Sequence, residues 1–238
     1  MIFLEINAQK ENSTSKVQIQ VTDNTVVRDE EGTVYQAWVW KKLLLTGYYY
    51  LKAENPGNVN SSFLLIRMSE EERKKKMSSS PKPKESKNFV TGQVVKNFST
   101  TDINGKKIKL KDLKGSVVVI NFWFINCPPC REEISELNKI VEHYKDSSGV
   151  IFLGIALDEK DALEKFLQSH PFDYRIIDQG RTIAGLYGVS AYPTHLVIDK
   201  EGKAYFHTAG GGSSILYWLQ KSIEEALKVP VSIPSTQP

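Results

Sequence analysis

Cysteine is almost absent from this chain of 238 residues: Cys127 and Cys130 are the two it has, and they lie three apart in Cys127-Pro128-Pro129-Cys130. No further cysteine exists to staple a loop or to complete a structural zinc site, which would need a second Cys pair or a closely spaced His pair. The histidines, His143, His170, His195 and His207, are spread too widely to supply one, so no metal is expected. Covalent haem would need a histidine directly after the second cysteine, and Arg131 stands there. Long apolar runs are missing too. Nothing approaches the roughly 18 residues of a membrane-spanning helix, so a membrane tether is expected only outside this chain. Charge of one sign is also scarce: 31 Lys and Arg against 28 Asp and Glu leave +3, with both signs interspersed. A nucleic-acid partner would need a concentrated basic face, and none is expected.

Composition divides what is present into segments. Residues 1–9, MIFLEINAQ, read either as the end of a secretory signal peptide, with the mature chain starting near Lys10, or as a first strand or frayed terminus. Residues 10–68 form a small α+β or β-rich unit of unknown role. In it VQIQV alternates like a strand, QAWVWKKLLL reads as a helix closed by Thr46 and Gly47 or as buried strand, and YYYLKA and FLLIRM read as strands. Trp38, Trp40 and Tyr48–Tyr50 are expected in its core rather than in a ligand cage. Residues 69–88 are a linker. Ser69 and Glu72 have capping-box spacing for a short charged helix, and SSSPKPK should be extended or disordered. Residues 89–230 alternate apolar runs with amphipathic stretches, and a proline-rich tail occupies residues 231–238.

The segment 89–230 predicts an α/β domain with a central mixed sheet. VVVINFWF and VIFLGIAL are continuous apolar runs, the pattern of strands buried on both faces. Helices are expected after CPPC, over DALEKFLQSH, over RTIAGLY up to Gly188, and over SSILYWLQKSIEEALK with Ser213 or Ser214 as cap. YRII is a short strand, and THLVID and KAYFHT are a hairpin turning at Lys200-Glu201-Gly202. FSTTDINGKKIKL holds an Asn-Gly turn and adds another hairpin in front.

Placement gives the cysteines their chemistry. They sit where a buried strand ends and a long helix begins. Cys127 therefore falls at the helix N-terminus and Pro128 near the first helical position, where a missing N–H costs nothing. Free N–H groups and the helix dipole favour a thiolate there, and the thiolate is the attacking species. Cys127 is thus the expected nucleophile on a partner disulfide. Cys130, one turn further and more buried, resolves the mixed disulfide, and the reverse sequence oxidises a partner. The redox-active pair is the only cofactor this chemistry needs. Pro128 and Pro129 offer no N–H donors between the sulfurs. Pro193, in Ala191-Tyr192-Pro193-Thr194, stands before a strand. From its residues alone its bond is either trans at a loop exit or cis. A cis bond would turn the backbone of Tyr192 toward the sulfurs, where a partner peptide could pair with it.

VVVINFWFINCPPCREE followed by AYPTHLVIDKEGK resembles the thioredoxin-like superfamily, specifically its TlpA-like branch of exported thiol–disulfide oxidoreductases. The N-terminal hairpin and FLGIALDEKDALEKFLQSHPFDYRIIDQG, similar to that branch's central insert, extend the match over about residues 94–228. The resemblance implies a thioredoxin fold, a cis Pro193 and an exposed nucleophile at Cys127. It also implies a periplasmic or other extracytoplasmic location, often with a membrane anchor. Trp123 counts with Tyr192, Pro193, Pro128, Pro129 and Glu133 as supporting residues. Glu133 stands where reductive members carry a glutamate that helps set thiol acidity; its other reading is a solvent-facing helix acid. Asn121 replaces the buried aspartate of classical thioredoxins. Ser135 replaces a helix-kinking proline, so the helix is expected to run straighter. Phe124, Ile125 and Asn126 replace small residues and make the rim more apolar.

The expected activity is reduction of disulfides in exported proteins, c-type cytochrome maturation included, with an upstream electron donor as second partner. A disulfide oxidant or isomerase would use the same residues. A peroxidase is disfavoured by the paired cysteines. A docking protein with an auxiliary redox site is the reading from another class, kept by the size of residues 10–68.

Overall fold

The computed structural model describes residues 2–10, 13–56, 58–147 and 149–230, with the backbone alone for residues 2–20, 45 and 213. Met1 and the tail at 231–238 lie outside the described residues. Two compact units result, Met1–Ser79 and Ser80–Pro238.

In the first unit, β1 (Ile2–Lys10) and β2 (Ser13–Val21) form an antiparallel hairpin with Ile2 opposite Val21. The residues read as a leader's end are thus paired strand. Two short strands follow, β3 (Val27–Arg28) and β4 (Val34–Tyr35), then α1 (Ala37–Leu45), β5 (Tyr49–Ala53), β6 (Phe63–Arg67) and α2 (Glu70–Ser79). The sheet order is β4-β3-β6-β5. Val27, Trp40, Leu51, Phe63 and Leu65 close a small core. Trp38 corrects the expectation of a uniformly buried aromatic set. It is 69% exposed, because two residues along a helix turn about 200° away from the face that buries Trp40. The capping box forms: Glu72 N–H donates to Ser69 Oγ, and Ser69 N–H donates to Glu72 Oε2 at 2.8 Å. The helix continues through Ser78 and Ser79, so part of the stretch expected to be extended is helical; Met77 is buried there.

In the second unit, β7 (Ser99–Thr101) and β8 (Lys107–Lys109) are the expected hairpin, followed by a 3₁₀ turn at Leu110–Leu113. Then come β9 (Val117–Trp123), α3 (Pro128–His143), β10 (Val150–Ala156), α4 (Lys160–Ser169), β11 (Arg175–Ile177), α5 (Arg181–Tyr187), β12 (Thr194–Ile198), β13 (Ala204–Ala209) and α6 (Ser213–Lys228). The central sheet has the order β11-β10-β9-β12-β13, with β9 parallel to β10 and antiparallel to β12.

Every residue of β9 is buried, as its unbroken apolar run requires. Val117, Val119 and Trp123 join the core beneath α3 and α6, while Val118, Ile120 and Phe122 join the core around α5. Two sequence expectations change. Gly212 caps α6 and Ser213 is already its first residue. The segment assigned to a free linker ends earlier than residue 88. Glu85 bridges Thr208, Thr208 Oγ1 donates to the Lys84 carbonyl at 2.9 Å, and Gly92 N–H donates to the Ala204 carbonyl at 2.7 Å. Residues 84–95 therefore cover β13, whose outer edge would otherwise expose unpaired backbone groups.

Candidate active site

The site lies where β9 stops. Phe124, Ile125 and Asn126 turn the chain, and Cys127 becomes the N-cap of α3, with Pro128 and Pro129 opening the helix. Cys127 Sγ accepts the Cys130 N–H at 3.3 Å and is bonded to Cys130 Sγ at 2.03 Å. The helix then runs unbroken past Ser135. The turn is tethered from the insert: Ile125 N–H donates to Asp158 Oδ2 at 2.8 Å, and Leu157 N–H donates to the Trp123 carbonyl at 3.1 Å. Asp158 had no signal in the sequence, because its partner is a backbone group 33 residues away.

The Tyr192–Pro193 bond is cis. Pro193 is buried, its carbonyl accepts the Gly210 N–H at 2.8 Å, and Thr194 Oγ1 donates to the Ala191 carbonyl at 2.8 Å. Tyr192 is half-buried, and its ring meets Phe124 edge-on at 5.4 Å. Pro128 and Pro129 are exposed beside the disulfide. Trp123 is fully buried, packed against Phe166 and Phe172, so it supports the strand from within and meets no partner.

The expectation of an exposed Cys127 is corrected. In the disulfide form Cys127 is 3% exposed and Cys130 is 1% exposed. Cys127 belongs to a core cluster against which Phe124, Ile125 and Tyr192 also pack. The solvent-facing reading of Glu133 is overturned as well. It follows Cys130 by three residues, so both side chains lie on one helix face, and that face points inward: Glu133 is 4% exposed. Asn121 Nδ2 donates to Glu133 Oε1 at 3.3 Å, and His195 Nε2 lies 3.2 Å from the same oxygen. His195 was visible in the sequence only as one of the scattered histidines. Strand pairing brings it here by setting it opposite Asn121. Beside this cluster Tyr174 is buried, and burial, aided by the Glu133 charge, pushes its hydroxyl well above the usual phenol range.

A dithiol or disulfide at a helix start, beside a cis proline in a five-stranded mixed sheet, defines the thioredoxin-like class. The model of the AhpC/TSA family matches residues 91–206. The thiol-disulfide oxidoreductase ResA of Bacillus thuringiensis is 42% identical over 114 residues, 47% of this chain and 65% of that protein. The ResA of Bacillus thuringiensis subsp. konkukian is 37% identical over 139 residues, 58% of this chain and 76% of that protein. Among solved structures, a protein named as a thiol:disulfide interchange protein DsbE from Chlorobium tepidum is similar with a TM-score of 0.54 and 29% identity, covering 58% of this chain and 99% of that one. One named as a protein disulfide isomerase from Bacteroides thetaiotaomicron reaches 0.56 with 27% identity, covering 59% and 92%. The chain belongs to the thioredoxin-like family of thiol–disulfide oxidoreductases. It spans slightly under two thirds of the length of the first of these relatives.

Proposed function

We propose that this chain is a thiol–disulfide oxidoreductase that reduces disulfides of exported proteins through Cys127 and Cys130. The observation that carries the reading is Cys127 at the N-cap of α3, bonded to Cys130 within the first helical turn. Once reduced, Cys127 has the helix N-terminus to stabilise its thiolate. The thiolate attacks one sulfur of the partner disulfide and expels the other as a thiolate that takes a proton from water. Cys130 then gives up its proton and attacks Cys127 Sγ. The cysteine pair ends oxidised and the partner ends with two thiols. The electrons come from the dithiol itself, so no bound cofactor is required, and an upstream donor protein must re-reduce the pair.

Tyr192 and Pro193 form the rim on which the partner's backbone lies, Pro128, Pro129 and Phe124 complete its apolar surface, and Glu133 serves the proton of Cys130. The location is periplasmic or otherwise extracytoplasmic, as for an enzyme of exported substrates, apocytochromes c among the candidates. Among the described residues no helix is long and apolar enough to cross a membrane.

Trapping tests the reading. Cys130→Ala should accumulate a Cys127 mixed disulfide with the natural partner, and Cys127→Ala should accumulate none. Equal trapping by both variants would overturn the assigned roles. The likeness to a structure named as a protein disulfide isomerase favours oxidation or isomerisation as the second reading. The reduction potential separates the two. A value near about −270 mV, thioredoxin's, marks a reductant, and one near about −120 mV marks a disulfide donor.

A further inference from the structure

Beneath the disulfide three polar side chains from three elements meet in a buried layer: Asn121 from β9, His195 from β12 and Glu133 from α3, exposed by 1%, 0% and 4%. Glu133 Oε1 is approached by Asn121 Nδ2 at 3.3 Å and by His195 Nε2 at 3.2 Å. Neither ring nitrogen of His195, nor Glu133 Oε2, has a hydrogen bond of good geometry. Buried polar groups are nearly always satisfied, and the exceptions call for an explanation. Asn121 can donate to a carboxylate but cannot exchange a proton with it; an imidazole can do both. Burying a carboxylate is costly unless it is paired and hydrogen-bonded. Beside an imidazole, one shared proton leaves the pair without net charge wherever that proton resides. The other groups facing the pair are Cys130, one turn up α3, and the buried Tyr174 hydroxyl, which also lacks a partner. Tyr174 stays neutral throughout the working range.

We propose that His195 is a positioning residue for the resolving step, sharing one buried proton with Glu133 so that the pair can take up and return the proton of Cys130. This rests on the thiol-exchange reading above. As Cys130 attacks Cys127 Sγ, its S–H proton passes to the Glu133–His195 pair, the partner sulfur leaves as a thiolate, and the pair later returns the proton when the disulfide is reduced. Proton count and charge balance without a further reactant. His195 Nε2 already lies 3.2 Å from Glu133 Oε1, and catalytic hydrogen bonds are often poorly aligned in a resting site.

The test uses reduced full-length protein and dithiobis(nitrobenzoate), an aromatic disulfide that releases a coloured thiolate twice. The first release reports attack by Cys127 and the second reports closure by Cys130. In His195→Gln the second release should slow at least about ten-fold relative to the first at neutral pH, general-base effects being typically larger than this. Its pH profile should also lose a titration present in the parent protein. The double variant with Glu133→Gln should be no slower than Glu133→Gln alone, since His195 acts through Glu133. An unchanged ratio and profile, or additive losses in the double variant, overturns the proposal. Should His195→Gln fail to fold, nitrogen-15 NMR of the His195 ring in the parent protein decides. Its titration should move to higher pH on reduction, as the Cys127 thiolate adds negative charge nearby; identical curves in both redox forms overturn the proposal. Absence of the first release from the parent protein would instead remove the thiol-exchange reading, and this one with it.

Discussion

Gly180 has no room for a side chain. A Cβ there would collide with Ile155 Cγ2 and stand 2.8 Å from the Ala156 carbonyl oxygen. Both belong to β10, and Ile155 is fully buried. The obstacle is a β-branched side chain plus backbone, neither of which can swing aside. Gly180→Ala should therefore destabilise the second unit by about 3 kcal/mol, the upper end of overpacking costs, as a lower denaturant midpoint at constant slope. His207 is sensitive in another way. It is buried on β13 with Ser86 Oγ at 3.2 Å from Nδ1 and Thr91 Oγ1 at 3.3 Å from Nε2. Burial lowers its proton affinity from the ordinary 6.5, against the pull of the Glu85 carboxylate. The unfolded chain then takes up the proton first as the pH drops, so this contribution to stability is intact above about pH 6.5 and is lost below it. His207→Gln should lose less thermal stability than the parent between about pH 7.5 and 5; parallel loss would refute the assignment.

At the scale of elements, caps and edges carry the consequences. α2 has little apolar surface of its own, with Met77 its buried residue. Its start depends on the reciprocal bonds between Ser69 and Glu72. Ser69→Ala should cost the first unit about 1 kcal/mol, measured by urea unfolding. The same local logic made α3 readable: strand, turn, cysteine cap and two prolines are all set within a few residues. The strap over β13 was not readable, because SSSPKPKESKN has the composition of a linker, and the partner of Lys84 lies 124 residues away. α1 was readable only as a helix or a buried strand, and not in its face, since QAWVWKKLLL is apolar on nearly every side; packing alone decided that Trp40 turns in and Trp38 out.

For the whole molecule, the division at Ser79 and Ser80 makes a prediction about dissection. A fragment beginning at Ser80 should fold and retain thiol exchange, because its two cores and the strap are complete within it. A fragment beginning at Phe89 loses the hydrogen bonds of Lys84 and Ser86 to Thr208 and His207 of β13 and should be less stable by roughly 3 kcal/mol, at about 1 kcal/mol for each hydrogen bond removed. Equal melting temperatures for the two fragments would show that the strap adds nothing.

The amino-acid order alone determined the cysteine pair, its place at a helix start, the alternation of strands and helices in the second unit and most of the turns, because each depends on residues within one or two turns of chain. Tertiary structure decided what is set by distant partners. It buried Glu133, seated His195 opposite Asn121, fastened the Cys127 turn to Asp158 and laid the presumed linker along β13. Each of these joins groups far apart in sequence, His195 and Asn121 through strand register and the others through the packing of a helix, loop or strap on the sheet, which no local pattern records.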